Sequence, residues 1–164
     1  MKIPTAAEQR TAYIAQLQPH VPEPILAVGF LTSAGYTTGL MADHATGKAL
    51  GLLVSPMVGW FHRKQATATR VAAARNDLVA VTASSVHLFE FPKRGEAFAV
   101  TGPPVVWERS QLHVSAGLRG RYSQPIHVTF ANGETRDFDI SNGARDYATF
   151  SDDMRDLLLT PVFA

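Results

Sequence analysis

The sequence predicts a mainly β fold with some α content. Seven short antiparallel strands form a sandwich, with an N-terminal helix, a helical insertion between strands 1 and 2, and a C-terminal helix. Three observations lead there. The stretch "NDLVAVTASSVHLFEFPKRG", Asn76 to Gly95, holds two short apolar runs that face each other across Ala83-Ser84. A second pair of runs turns at Ala131-Asn132-Gly133 within "PIHVTFANGETRDFDI". The last segment, "SDDMRDLLLT", carries an apolar stripe at helical spacing. Short apolar runs bounded by turn residues read as strands, and apolar residues recurring at three and four read as a helix.

Composition bounds the reading. At 164 residues the chain has the size of one compact domain, or of one domain with an insertion. The hydrophobic share is 46% against 18% charged, enough for a sizeable core and against global disorder. A formal net charge of +1 argues against a general nucleic-acid binder. The absence of cysteine removes disulfides, thiolate nucleophiles and cysteine-ligated zinc, and fits the cytosol. The start, "MKIPTAAEQRTAYIAQ", lacks the apolar core of a signal peptide. The longest apolar stretch, "ALGLLVSPMVGWF" from Ala49 to Phe61, is interrupted by Pro56 and is well short of the ~20 residues that span a bilayer. The expectation is a soluble, cytoplasmic protein, with a peripheral membrane contact left open.

The first element is a helix over residues 5–18. Thr5 is a candidate N-cap, with Glu8 three residues on to complete a capping box. Ile14 and Leu17 recur at helical spacing, and Pro19 ends the run. "EPILAVGFLT" then gives a strand, Ile25 to Thr32, bounded by Pro24 and Gly35. Residues 33–76 change character, becoming rich in Ala, Gly and Thr. Ala45 to Val54 and Gln65 to Arg75 read as two helical pieces broken near Ser55-Pro56. The segment holds Lys48, Arg63, Lys64, Arg70 and Arg75 against Asp43 alone.

Strands resume at Leu78–Thr82 and Val86–Phe91. With Ala83-Ser84 as a two-residue loop, Val81 lies opposite Val86 and Val79 opposite Leu88, so these four share a face. The other face carries Leu78, Ala80, His87, Phe89 and Phe91. Both faces are apolar, so the hairpin needs a cover on each side, and the N-terminal helix and the Ala-rich insertion are the candidates for the second. Val105–Arg109 and Gln111–Ala116 follow, then Ile126–Phe130 and Glu134–Ile140. A two-residue turn at Asn132-Gly133 places His127 opposite Phe138, which mixes the faces. A three-residue loop with Gly133 in the left-handed region pairs Ile126 with Phe138 and Val128 with Arg136, and is preferred. The tail, residues 151–159, is a helix. Ser151 is its N-cap, Asp152 and Asp153 suit the positive end of its dipole, and Met154, Leu157 and Leu158 form its apolar stripe.

Seven strands followed by one amphipathic helix resemble the pleckstrin-homology-like fold. The stretch from "LVAVTASSVHLFEF" through "VVWERSQLHV" to "SDDMRDLLLT" is similar to a group of small, mostly uncharacterised bacterial proteins with PH-like (PH/GRAM-like) domains. The shared pattern is a strand reading "AVT", a turn, an aromatic-rich strand and W-x-R-S-x-L-x-V, here Trp107, Arg109, Ser110, Leu112 and Val114. It covers roughly residues 20 to 160 and is structural, not catalytic; a generic small β-barrel is the alternative. The resemblance implies that residues 33–76 enlarge the loop between strands 1 and 2, a common ligand and lipid site in PH domains.

Function is therefore expected in that basic insertion, with Trp60, Phe61, Arg63, Lys64 and Arg70 as the contact surface. The first expectation is a non-enzymatic binding or scaffolding module without cofactor or metal, whose partner is a second copy or another protein. Small residues let helices approach closely enough for self-association. The alternative is a peripheral membrane protein, because interfacial aromatics and basic residues attract anionic lipid. A further alternative is a small-molecule binder or an unrecognised enzyme, with His87 beside Phe89 the first residue to inspect. Other clusters read as ordinary structure. His113 and His127 make half a metal site at most, and His44 and His62 no more. Asp152, Asp153 and Asp156 suit a helix start. The turn Arg119-Gly120-Arg121 and Lys93-Arg94-Gly95 read as solvated loops. No G-x-S-x-G, P-loop or H-E-x-x-H motif occurs.

Overall fold

The computed structural model describes residues 2–34, 76–91, 97–120, 123–141 and 149–162. Helix α1, Ala6–Leu17, begins where the sequence places it. The Thr5 side chain accepts the Glu8 amide, and the Glu8 carboxylate accepts the Thr5 amide at 2.7 Å. Two of the helix's orphan amides are thereby satisfied. Pro19 does not cut the helix off sharply; a 3-10 turn, Gln18–His20, continues it.

Seven strands follow: β1 Ala27–Ser33, β2 Asn76–Val81, β3 Ser85–Glu90, β4 Val105–Glu108, β5 Leu112–Ala116, β6 Ser123–Phe130 and β7 Thr135–Ser141. Every pairing is antiparallel, and they form one hydrogen-bonded sheet in the order β4-β3-β2-β1-β7-β6-β5. β1 starts two residues later than Ile25, because the Ile25 amide donates to Gln18 Oε1 at 3.1 Å and Leu26 is the first residue tied to β2, through Val81. β4 stops at Glu108, and Arg109–Gln111 form a 3-10 turn that carries the chain from one sheet edge to the other.

Both predicted hairpin registers are present. Val81 pairs with Val86 and Val79 with Leu88. Ile126 pairs with Phe138 and Val128 with Arg136, around a turn in which Gly133 has φ 88°. That angle favours glycine, which is why Asn132-Gly133 closes a three-residue loop here.

Strict alternation along β1, β2 and β3 gives the sheet two apolar faces. The inner face carries Ala27, Leu31, Val79, Val81, Val86 and Leu88, packed with Trp107, Ile126, Val128 and Ile140. Helix α2, Asp152–Leu159, closes this face with Met154 and Leu158, each side chain contributing roughly 2 kcal/mol by burial. Met154 lies directly over Gly29, where a side chain has no room. The outer face carries Val28, Leu78, Ala80 and Phe89, and its cover is the N-terminal helix with the loop after it: Ala6, Leu17, Val21 and Ile25 join this second core with Phe150. Tyr13 from α1 meets Phe30, Phe91, Phe98 and Phe150 edge-on, with ring centroids 5.9–6.3 Å apart, the arrangement that aromatic quadrupoles favour.

One capping expectation is corrected. Ser151 occupies the N-cap position of α2, but its hydroxyl makes no capping bond. It accepts the Phe30 amide at 3.0 Å instead, tying the helix start to β1. No helix among the described residues is long and apolar enough to cross a membrane.

Candidate functional site

The insertion springs from the middle of the sheet. β1 and β2 are neighbours, and Thr32 pairs with Asn76 and Leu31 with Asp77. The strand ends that flank residues 34–75 therefore lie on adjacent, paired strands, about 5 Å apart. The segment's charge is lopsided, five basic residues against Asp43. Of the 15 Lys and Arg and 14 Asp and Glu in the chain, 10 and 13 lie elsewhere, so the remainder is net acidic. Trp60, Phe61, Arg63, Lys64 and Arg70, with the expected helical pieces Ala45–Val54 and Gln65–Arg75, lie outside the described residues.

Within the described residues, polar groups converge on the β2–β3 turn. The buried hydroxyls of Thr82 and Ser85 stand 2.9 Å apart, and Ser85 Oγ is 2.8 Å from His87 Nε2. The Ser85 amide donates to Thr82 Oγ1 at 3.0 Å. From one side the Glu23 carboxylate accepts both the amide and the hydroxyl of Ser84. The Ser84 hydroxyl is the main reason the Glu23 carboxyl sits below its usual range. From the other side Arg109, 8% exposed, donates through Nη1 to Thr82 O and Ala83 O at 3.0 and 3.1 Å, and through Nη2 to Leu157 O at 2.8 Å. Its own amide donates to Ser84 O at 2.8 Å.

Chemically this is a junction. Ser85 and His87 have the hydroxyl–imidazole contact of a nucleophile and its base, but they are 8% and 4% exposed. The third group needed to orient the imidazole is missing, since His87 Nδ1 has no hydrogen-bond partner among the described residues. Burial pushes the imidazole pKa down, with Glu23 partly opposing it. Arg109 meets three carbonyls and, among the described residues, no carboxylate. One of these carbonyls, Leu157 O, belongs to the last turn of α2 and also accepts the Thr160 amide at 3.3 Å; there the guanidinium adds a second donor and complements the dipole.

The remaining candidates are placed plainly. His113 and His127 share the outward face of paired β5 and β6, but offset: His113 lies opposite Thr129, and His127 opposite Ser115. His127 Nδ1 bonds Asp137 on β7 instead. The described residues contain no group of three His, Asp or Glu side chains placed to hold a metal. Asp152 binds Arg119 at 3.1 Å and Arg155 at 3.2 Å, and Arg155 also holds Asp156, so the helix-start reading stands. Arg121 and Lys93-Arg94-Gly95 lie outside the described residues. The clefts formed by the described residues include two small ones. One of about 60 Å³ lies between β5 and the end of α2, and one of about 100 Å³ lies beside β3 along residues 100–103. Ordinary ligand sites occupy ~300 Å³ or more.

The sequence singled out Arg109 and His87 but neither Glu23 nor Ser85. The signal for Glu23 was its place between Pro22 and Pro24, where two prolines fix the backbone and present the intervening side chain. No family model matches the sequence, and no curated protein matches it.

Proposed function

We propose that this chain is a non-enzymatic, PH-like binding or scaffolding module that self-associates or binds a protein partner through residues 33–76. The observation that carries the reading is the rooting of the insertion at Thr32↔Asn76. A long segment whose ends meet on two paired central strands is carried by the sheet without interrupting it. The strand order 4-3-2-1-7-6-5, with a C-terminal helix against the inner face, supports the PH-like assignment. The small clefts and the structural employment of Ser85, His87 and Arg109 support placing function in the insertion. Trp60 and Phe61 supply the apolar centre of the contact, and Arg63, Lys64 and Arg70 its charged rim.

Trp60→Asp combined with Phe61→Asp is expected to lower the mass measured by light scattering while leaving the thermal melt unchanged. Survival of the parent's oligomeric mass contradicts this surface. Flotation of the parent with anionic liposomes, weakening with salt, assigns the same residues to a membrane instead.

A further inference from the structure

Several described carboxylates are held by a neighbouring basic group: Glu8 by Lys2, Asp137 by His127, Glu134 by Arg136, and Asp152 and Asp156 by Arg155. Glu23 and Glu108 make no ion pair among the described residues. Both lie at one corner of the sheet. Glu108 is exposed on β4, the strand that ends the sheet, and lies opposite Ser85. Glu23 holds Ser84 in the adjoining turn.

The same corner is apolar. Val106 lies two residues before Glu108, on the same face of β4, and is more than half exposed. Val105 beside it is exposed too. Leu26, also more than half exposed, is tied to Val81 at this end of the hairpin. A row of backbone groups accompanies them. The Arg109 amide bonds Ser84 O, so by alternation Val105 and Trp107 turn their amides toward β3, and Val106 and Glu108 turn theirs off the edge. Arg109 brings no charge to this face, because its guanidinium reaches Leu157 O of α2, on the inner side. The other described Lys and Arg side chains are engaged elsewhere: Lys2, Arg119, Arg136 and Arg155 in ion pairs, and Arg10 on Thr149 O.

We propose that this corner, formed by Leu26, Val105 and Val106 with Glu23 and Glu108, receives residues 33–76 of a second copy, so that the protein associates head to tail. The proposal rests on the reading of residues 33–76 as the contact segment and names what that segment meets. Charge selects the partner. The segment holds five basic residues against Asp43, with Trp60 and Phe61 beside them. Contact between two such segments sets like charges against each other, whereas the corner offers apolar side chains with two carboxylates that no cation holds. Geometry permits both roles at once. The root at Thr32↔Asn76 and the corner beside Ala27↔Val81 lie at opposite ends of the β1–β2 ladder, roughly 17 Å apart along the strands. One copy therefore offers its segment to one neighbour and its corner to another. Such a contact closes into a ring or an exchanged pair, or runs on as a filament.

The test is complementation between two full-length variants, read by light scattering after size exclusion. The corner variant carries Val106→Asp and Glu108→Lys, both at exposed positions. The segment variant carries Trp60→Asp and Phe61→Asp. Each alone is expected to be a folded monomer at concentrations where the parent is an oligomer. An equimolar mixture is expected to form a pair containing one copy of each and nothing larger, because the corner variant still has its segment and the segment variant still has its corner. A corner variant that keeps the parent's mass, or a mixture that stays monomeric, overturns the head-to-tail contact while leaving the segment as the contact surface. A segment variant that keeps the parent's mass, or a monomeric parent, overturns both readings. Should the corner variant fail to melt cooperatively, Glu108→Lys alone replaces it, with a loss of mass expected and an unchanged mass contradicting the proposal.

Discussion

Arg109→Met is expected to destabilise the protein by about 3 kcal/mol and to lower its melting temperature by roughly 10 °C. The guanidinium donates to Thr82 O, Ala83 O and Leu157 O. Methionine fills similar space and donates to none of them. The Leu157 carbonyl loses its tie to the sheet, and the β2–β3 turn loses its link to α2. Arg109→Lys is expected to fall between the two, because a point charge on a flexible stem cannot serve three diverging acceptors as a planar fork does. Lys2→Met is the control. Its pair with Glu8 is a 3.4 Å surface contact with the lysine side chain 83% exposed, and removing it is expected to leave the melt unchanged. Thermal and denaturant unfolding of the three variants check this, and an Arg109→Met melt within about one degree of the parent contradicts the latch.

Gly29→Val is expected to cost about 3 kcal/mol, and the same change is expected to cost much less in a Met154→Ala background. A Cβ at position 29 lies 2.7 Å from Met154 Sδ, 2.8 Å from its Cε and 3.0 Å from its Cβ. The sulfur end can swing aside, but the Cβ contact is tied to the backbone of α2, so the helix itself must shift. Met154→Ala alone leaves a void in a fully buried site and costs about 3 kcal/mol. Together the valine methyls refill part of that void, so the two costs are expected to fall short of their sum by about 1 kcal/mol or more. A double mutant as unstable as the sum of the singles contradicts this contact between α2 and β1.

Much of the fold was legible because short-range rules decide it. Period-two alternation in "LVAVTASSVHLFEF" sets both faces of the hairpin at once, and a one-residue slip would move every apolar side chain to the wrong face. The same parity selected the three-residue loop at Gly133 over the two-residue one. Thr5 and Glu8 lie three residues apart and can only cap each other.

What escaped was long-range. Nothing near Ser151 announces that its hydroxyl will accept the amide of Phe30 rather than cap its own helix. Nothing near Glu23 announces Ser84, which lies 61 residues away in sequence. Arg109 was visible as part of a pattern, but its three acceptors come from two segments far apart in sequence. The candidate contact residues, Trp60, Phe61, Arg63, Lys64 and Arg70, were chosen on composition and charge, and what the fold adds is their root between β1 and β2.

The account rests on a division between a self-sufficient sheet and an insertion that carries the contact surface. The most direct measurement is light scattering after size exclusion on the intact chain and on one with residues 36–74 replaced by a short Gly/Ser linker. The linker has only the gap between paired strands to cross, about 5 Å. The account predicts an oligomer for the intact chain and, for the shortened one, a monomer that melts cooperatively. A shortened chain that cannot fold, one that keeps the intact chain's stoichiometry, or an intact chain that is itself a monomer contradicts it.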